Sequence, residues 1–227
     1  MGVDLKKMAG ESVVGLVVVA VPLFLAAGTL AWGAGWAFLV LLFGCTGIYT
    51  AWMYVKRPEL LTERMNVAQK DQKIWDKLFL SLLLLYVVIW LIFMPLDARR
   101  FRWTHLPLWL QIIGGVLFVA AFLVYFLTAR ENPYMASVAR VQQERGQTVI
   151  STGPYHLVRH PMYSGSLLLF LGIPLLLGSG YGLLFALGGM LLLAWRTVME
   201  ERMLRAELAG NEDYMQQVKY RLIPALW

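Results

Sequence analysis

Long uncharged stretches separated by short charged ones set the pattern of this chain. Residues 13–55 contain no Asp, Glu, Lys or Arg, and Gly33-Ala34-Gly35 divides them into two segments that each approach the roughly 20 apolar residues needed to cross a bilayer core. A third span is predicted over residues 78–94, stopped by Pro95. A fourth runs from Leu106 or Pro107 to Ala129, where Arg130 and Glu131 end it. The last uncharged run, residues 161–195, is too long for one crossing, and Gly178-Ser179-Gly180 at its middle marks a tight turn between two helices. Each arm of that hairpin has about 17 residues, roughly 25 Å at 1.5 Å per residue, so its helices barely span and their ends lie at the interface.

The pattern therefore predicts an all-α integral membrane protein of about six hydrophobic helices. The last two form a short hairpin, flanked by a long polar loop before it and a helical tail after it. One membrane domain covers residues 1–227: four spans within 1–129, then loop, hairpin and tail over 130–227. Composition agrees, since 59% of residues are hydrophobic and only 15% charged, and the mean hydropathy is +0.62. Such a chain is too apolar for an ordinary soluble domain.

Charge adds orientation. Three arginines, Arg99, Arg100 and Arg102, fall on one side of the predicted spans, and the other lysines and arginines, from Lys6 and Lys7 through Lys70 to Arg221, fall on the opposite side. By the positive-inside rule the N-terminus, the 130–163 loop and the C-terminal tail are cytoplasmic, and the compact size suggests a bacterial inner membrane. The net charge of +6 then needs no nucleic acid; an anionic leaflet is its ordinary partner. The apolar stretch after Lys6-Lys7 is longer than a signal core and lacks a small-x-small cleavage site, which favours a retained anchor. Cys45 is the only cysteine and lies in the second span, so a cysteine-rich zinc site is excluded. With only His105 and His156 beside His160, no metal is expected.

Chemistry falls to two polar segments. Residues 131–165, ENPYMASVARVQQERGQTVISTGPYHLVRHPMYSG, run through a short helix, Gly146, an extended TVI piece and a Gly153-Pro154 turn. A loop of that length inside a compact protein is uncommon unless it has a function. Arg159, His160 and Pro161 then open the hairpin, with proline suited to the first helical turn, whose free N–H groups attract oxygen ligands. In the second segment, Glu200 and Glu201 follow an uncharged helix directly and Arg196 lies one turn before Glu200 on the same face. Ionisable residues at a membrane helix end face a cavity or a partner more often than lipid.

The order ENP, VQQERGQTVISTGPY, RHPMYSG, EERML, Gly210, Tyr214 and RLIP resembles the isoprenylcysteine carboxyl methyltransferase family, which is related to the phospholipid N-methyltransferases; the resemblance covers about residues 130–225. It implies an enzyme taking S-adenosyl-L-methionine from the cytosol and a lipophilic acceptor from the bilayer: the carboxylate of a prenylcysteine-like compound or a lipid amine. Carried over by motif, Gln142, Gln147, Thr148, Val149, Ile150, Tyr155, His160, Pro161, Met162 and Tyr163 line the cofactor, and Glu200 or Glu201 closes the pocket. Arg196 is the candidate for holding the acceptor, so that Arg196, Glu200 and Glu201 form the catalytic set. Arg159 binds the cofactor carboxylate or a lipid phosphate, or caps the loop.

Elementary chemistry is compatible with that set. A carboxylate acceptor is already ionised and is oriented by a bidentate arginine, whereas an amine needs a proton acceptor such as a glutamate or His160. Tyr155 and Tyr163 suit an adenine face or a sulfonium, and they also suit an interfacial aromatic belt. A membrane NADPH-dependent reductase of the sterol-reductase type shares the RHPxY string and is the alternative, although no GxGxxG fingerprint is present. A transporter or scaffold fits less well, because the spans carry almost no charge.

Overall fold

A computed structural model describes residues 5–65 and 72–227, with side chains described from residue 10 onward. Lys6, Lys7 and Lys70, which entered the charge argument, carry side chains outside that description. All regular structure among the described residues is helical. Five helices are long and apolar enough to cross a membrane: α1 (Leu5–Ala27), α2 (Gly33–Lys56), α4 (Ile74–Pro95), α5 (Leu108–Glu131) and α7 (Gly180–Glu207). Between them sit an eight-residue helix α3 (Pro58–Met65) and the 17-residue apolar α6 (Pro161–Leu177); α8 (Asn211–Gln217) follows α7.

The expected break at Gly33-Ala34-Gly35 lies a few residues earlier. Gly28 ends α1 with φ +72°, a left-handed conformation that glycine adopts without steric cost. Gly33 starts α2, and Gly35 is needed for packing: a Cβ there would lie 2.6 Å from the Trp32 ring. The second arm of the C-terminal hairpin is also longer than expected. α7 has 28 residues, because Arg196, Glu200, Glu201, Met203 and Leu204 are all good helix formers and nothing stops the helix at Trp195. The turn itself falls as read: Gly178 caps α6 at φ +80°, and Ser179 caps α7 by accepting from the Gly182 N–H at 2.9 Å.

α6 is held tightest against α5. A Cβ on Gly114 would sit 2.2 Å from the Leu176 nitrogen and 2.7 Å from the Gly172 oxygen, so the two backbones touch where side chains normally intervene. Such small-residue contacts let membrane helices associate by van der Waals packing. Gly189 likewise accommodates the Phe170 ring of α6.

Each end of the bundle has a distinct job. At one end, Arg99 donates to the Ala31 oxygen at 2.9 Å and Arg100 to the Leu25 oxygen at 3.2 Å, satisfying carbonyls at the end of α1 and in the turn beyond it. At the other end lie the beginnings of α4 and α6, the ends of α2, α5 and α7, and the polar loop.

Candidate functional site

The loop between α5 and α6 has little regular structure: the short helix expected near residues 141–146 is a single 3-10 turn, Gln143–Arg145. Side chains fix it instead. Fully buried Gln142 donates through Nε2 to the Tyr134 oxygen at 2.6 Å and accepts from Arg145 at 2.6 Å, while its own N–H donates to Gln147 Oε1 at 2.7 Å. Arg140 pairs with Glu63 of α3 at 3.0 Å and with Glu144 at 2.7 Å. Asn132 of the ENP string donates to the Tyr155 hydroxyl at 2.7 Å, and burial pushes the Tyr155 phenol well above its usual pKa, so it stays neutral.

The RHP turn is anchored from the tail. Arg159 and His160 donate their backbone N–H groups to the Tyr220 and Arg221 oxygens, both at 2.9 Å. The Arg159 guanidinium reaches the Val218 and Lys219 oxygens at 2.7 and 2.8 Å. Glu201 ties these pieces together, facing Arg159 at 2.6 Å, Arg221 at 2.8 Å and His160 at 3.4 Å. Three cationic or basic groups around one carboxylate fix the turn to α7 and to the tail.

Above this anchor lies a cavity of about 120 Å³. Its walls include Asn132, Tyr134, Gln147, Tyr155, Arg159, His160, Pro161, Met162, Tyr163, Arg196 and Glu200. His160 and Tyr163 stack with parallel rings 5.5 Å apart, and the Tyr163 hydroxyl donates to Glu200. The two glutamates thus part ways: Glu200 faces the cavity and Glu201 the anchoring network. Of the other motif residues, Gln142, Thr148, Val149 and Ile150 are not among those lining the cavity.

Arg196 stands at the inner wall. Its guanidinium lies 4.7 Å over the Phe79 ring and 5.7 Å from the Tyr163 ring, 3.1 Å from Asp76 and 4.0 Å from Glu200. Beyond it opens a second chamber of about 270 Å³, lined in part by Tyr49, Arg64, Tyr125, Met162, Tyr163 and Arg196. Arg196 Nε, the Tyr49 hydroxyl and Asp76 Oδ1 are buried without a hydrogen-bond partner, a concentration of unmet polar groups that asks for an explanation.

Sequence reasoning passed over Asp76, Tyr49 and Arg64. Asp76 sits in the first turn of α4, where an acid looks like an ordinary helix-start residue. α3 carried one usable signal, Pro58 at its first position before the apolar Leu60-Leu61 pair.

Fold and cavity together define a helical membrane protein with a polar pocket at one end of its bundle. Residues 109–209 match the family model of the phospholipid methyltransferases. The match begins in the first turn of α5 and ends just after α7, taking in the loop, the RHPMY turn, the hairpin and the glutamate pair. Over that stretch the chain is similar to the phospholipid methyltransferases, a family of membrane methyltransferases, in agreement with the resemblance read from the motifs. The match gives no support to the reductase alternative. No curated protein matches the chain significantly.

Proposed function

We propose that this protein is an S-adenosylmethionine-dependent methyltransferase that acts at the cytoplasmic membrane interface on a lipophilic acceptor. The Lys and Arg distribution supports that orientation, and the compact size a bacterial inner membrane. The observation that carries the reading is the cavity between the RHPMY turn, the 132–147 loop and the glutamate end of α7, joined past Arg196 to a chamber among the spans.

The residues present suit the cofactor. Tyr155 and Tyr163 offer aromatic faces, Asn132 and Gln147 offer amide donors and acceptors, Arg159 and His160 offer cationic or polar nitrogen, and Glu200 offers a carboxylate for a positive sulfur or amine. The buried Arg196 Nε without a partner lies at the wall where two ligands would meet. When bound, S-adenosylmethionine would supply a methyl on a positive sulfur for the acceptor's lone pair to take, and the sulfur, keeping the electron pair of the broken carbon–sulfur bond, would leave as a neutral thioether.

The protein's share is positioning and exclusion of water. Tyr163 fixes Glu200 by its hydroxyl, and Arg196 orients the acceptor at the opening between the cavities. Glu201 holds Arg159 and His160 in place, and Gln142 shapes the loop that presents Gln147. For an amine acceptor Glu200 is placed to take the proton; a carboxylate acceptor needs none taken.

Calorimetric titration of the full chain in detergent tests this. Saturable binding of S-adenosylmethionine and none of NADPH is expected, with Kd rising about tenfold in Tyr163→Phe, which corresponds to about 1.4 kcal/mol for one lost charge-assisted hydrogen bond. Binding of NADPH alone would overturn the reading.

A further inference from the structure

The chamber beyond Arg196 takes Tyr49, Arg64, Phe79 and Leu83 of its lining from the part of the chain outside the family match. α3 is held beside that chamber by apolar, ionic and hydrogen-bond contacts. Leu60 and Leu61 bury against Met53, Ala129 and Met135, Glu63 pairs with Arg140 at 3.0 Å, and Glu59 approaches Arg145 at 3.9 Å. Ser137 donates to the Arg64 oxygen at 2.6 Å, pinning the last turn to the loop. The helix's own acids are thus matched to loop arginines, while its arginine turns inward. Arg64 lines the chamber, its NH1 lying 3.6 Å from the Met162 sulfur, and no carboxylate among the described residues pairs with it.

Arg196 differs, since Asp76 and Glu200 both face it. Both carboxylates lie against Arg196, so Arg64 has no near counter-ion among the described residues of the chamber, although the four charges sum to zero. The Tyr49 hydroxyl, buried and unpartnered, lines the same space and can donate. At its other side the chamber continues into an apolar groove of about 300 Å³ between the spans, the two sharing Leu83, Tyr125, Ser166 and Leu193 as walls. A cationic head space leading into an apolar slot matches one kind of ligand.

The geometry points to Arg64, assisted by Tyr49, as the residue that recognises the acceptor: an amphiphile with an acidic oxygen group, carboxylate or phosphate, on a long apolar chain that lies in the groove. This rests on the methyltransferase reading for the word acceptor, not for the binding itself.

Equilibrium binding of radiolabelled myristate, tetradecyl phosphate and tetradecanol to the full chain in uncharged maltoside micelles, corrected for empty micelles, tests it. At least one acid binds wild type ten times or more tightly than the alcohol, and whichever acid binds better names the headgroup. Arg64→Gln reduces that preference to less than threefold, and Arg64→Lys retains most of it. S-adenosylmethionine affinity, unchanged in both variants, shows that they are folded. Equal binding of acid and alcohol to wild type, no binding of any probe, or a preference that survives Arg64→Gln would overturn the assignment. Acid preference without any S-adenosylmethionine binding would keep the site and discard the methyltransferase reading.

Discussion

Asp76 and Asp97 are both fully buried, one at each end of the bundle, and they are treated in opposite ways. Asp97 accepts from Thr104 N at 3.0 Å, Thr104 Oγ1 at 2.8 Å, Ser179 Oγ at 2.6 Å and Tyr181 N at 3.1 Å. Asp76 accepts through Oδ2 alone, from Gln72 and Ala139 N, both at 2.9 Å; Oδ1 faces Arg196 without a formed hydrogen bond. A buried carboxylate held by four donors is a rivet: it locks the π-helical turn after α4 (Leu96–Phe101) to the hairpin turn. One left half-satisfied beside an arginine and an open chamber belongs to a place where something else is meant to bind.

The comparison breaks most visibly at Asp97. Asp97→Ala orphans four donors and is expected to lower stability by about 3–5 kcal/mol, read as a drop in Tm, while the fraction that folds keeps its cofactor affinity. Asp76→Asn sharpens the contrast. It preserves shape but removes the charge facing Arg196, and the expected stability loss is smaller, about 1–2 kcal/mol, with a threefold or greater change in S-adenosylmethionine Kd because Arg196 re-pairs with Glu200. A loss equal to that of Asp97→Ala, with cofactor affinity untouched, would make the two carboxylates equivalent.

The smallest effect is at the loop surface. Glu144 has its carboxyl held below the usual range by its own backbone N–H and then by Arg140. A depressed folded-state pKa contributes stability above the unfolded pKa that is lost as pH falls through the lowered value. Because the side chain is more than half exposed, screening reduces this to about 0.3 kcal/mol. Glu144→Gln should lower the neutral-pH Tm by no more than that small amount and leave Tm at low pH unchanged, which flattens the acid limb of a Tm-against-pH curve.

The sequence made the spans legible because uncharged runs are a one-dimensional signal, and it made the RHPMY turn and glutamate pair legible because they are local strings. Both helix-boundary errors were local too: Gly28 rather than Gly33 supplies the left-handed residue, and nothing at Trp195 stops α7. What could not be read were pairings across distance. Arg64 and Met162 are far apart in sequence, as are Asp76 and Arg196, and neither Arg64 nor Asp76 is unusual by itself. The same holds for the two glutamates, adjacent in sequence yet pointing one into the cavity and the other into a triad of basic groups.

The strap of residues 218–222 over the RHP turn has a consequence in time. Residues 220–222 are made after all of α1 to α7, so their carbonyl bonds to Arg159, His160 and Ser164 can form only once every span has been synthesised. Integration into the membrane and acquisition of the pocket are thus separate events in the birth of the molecule. A chain lacking residues 218–222 would keep its spans and lose the carbonyls that hold the RHP turn.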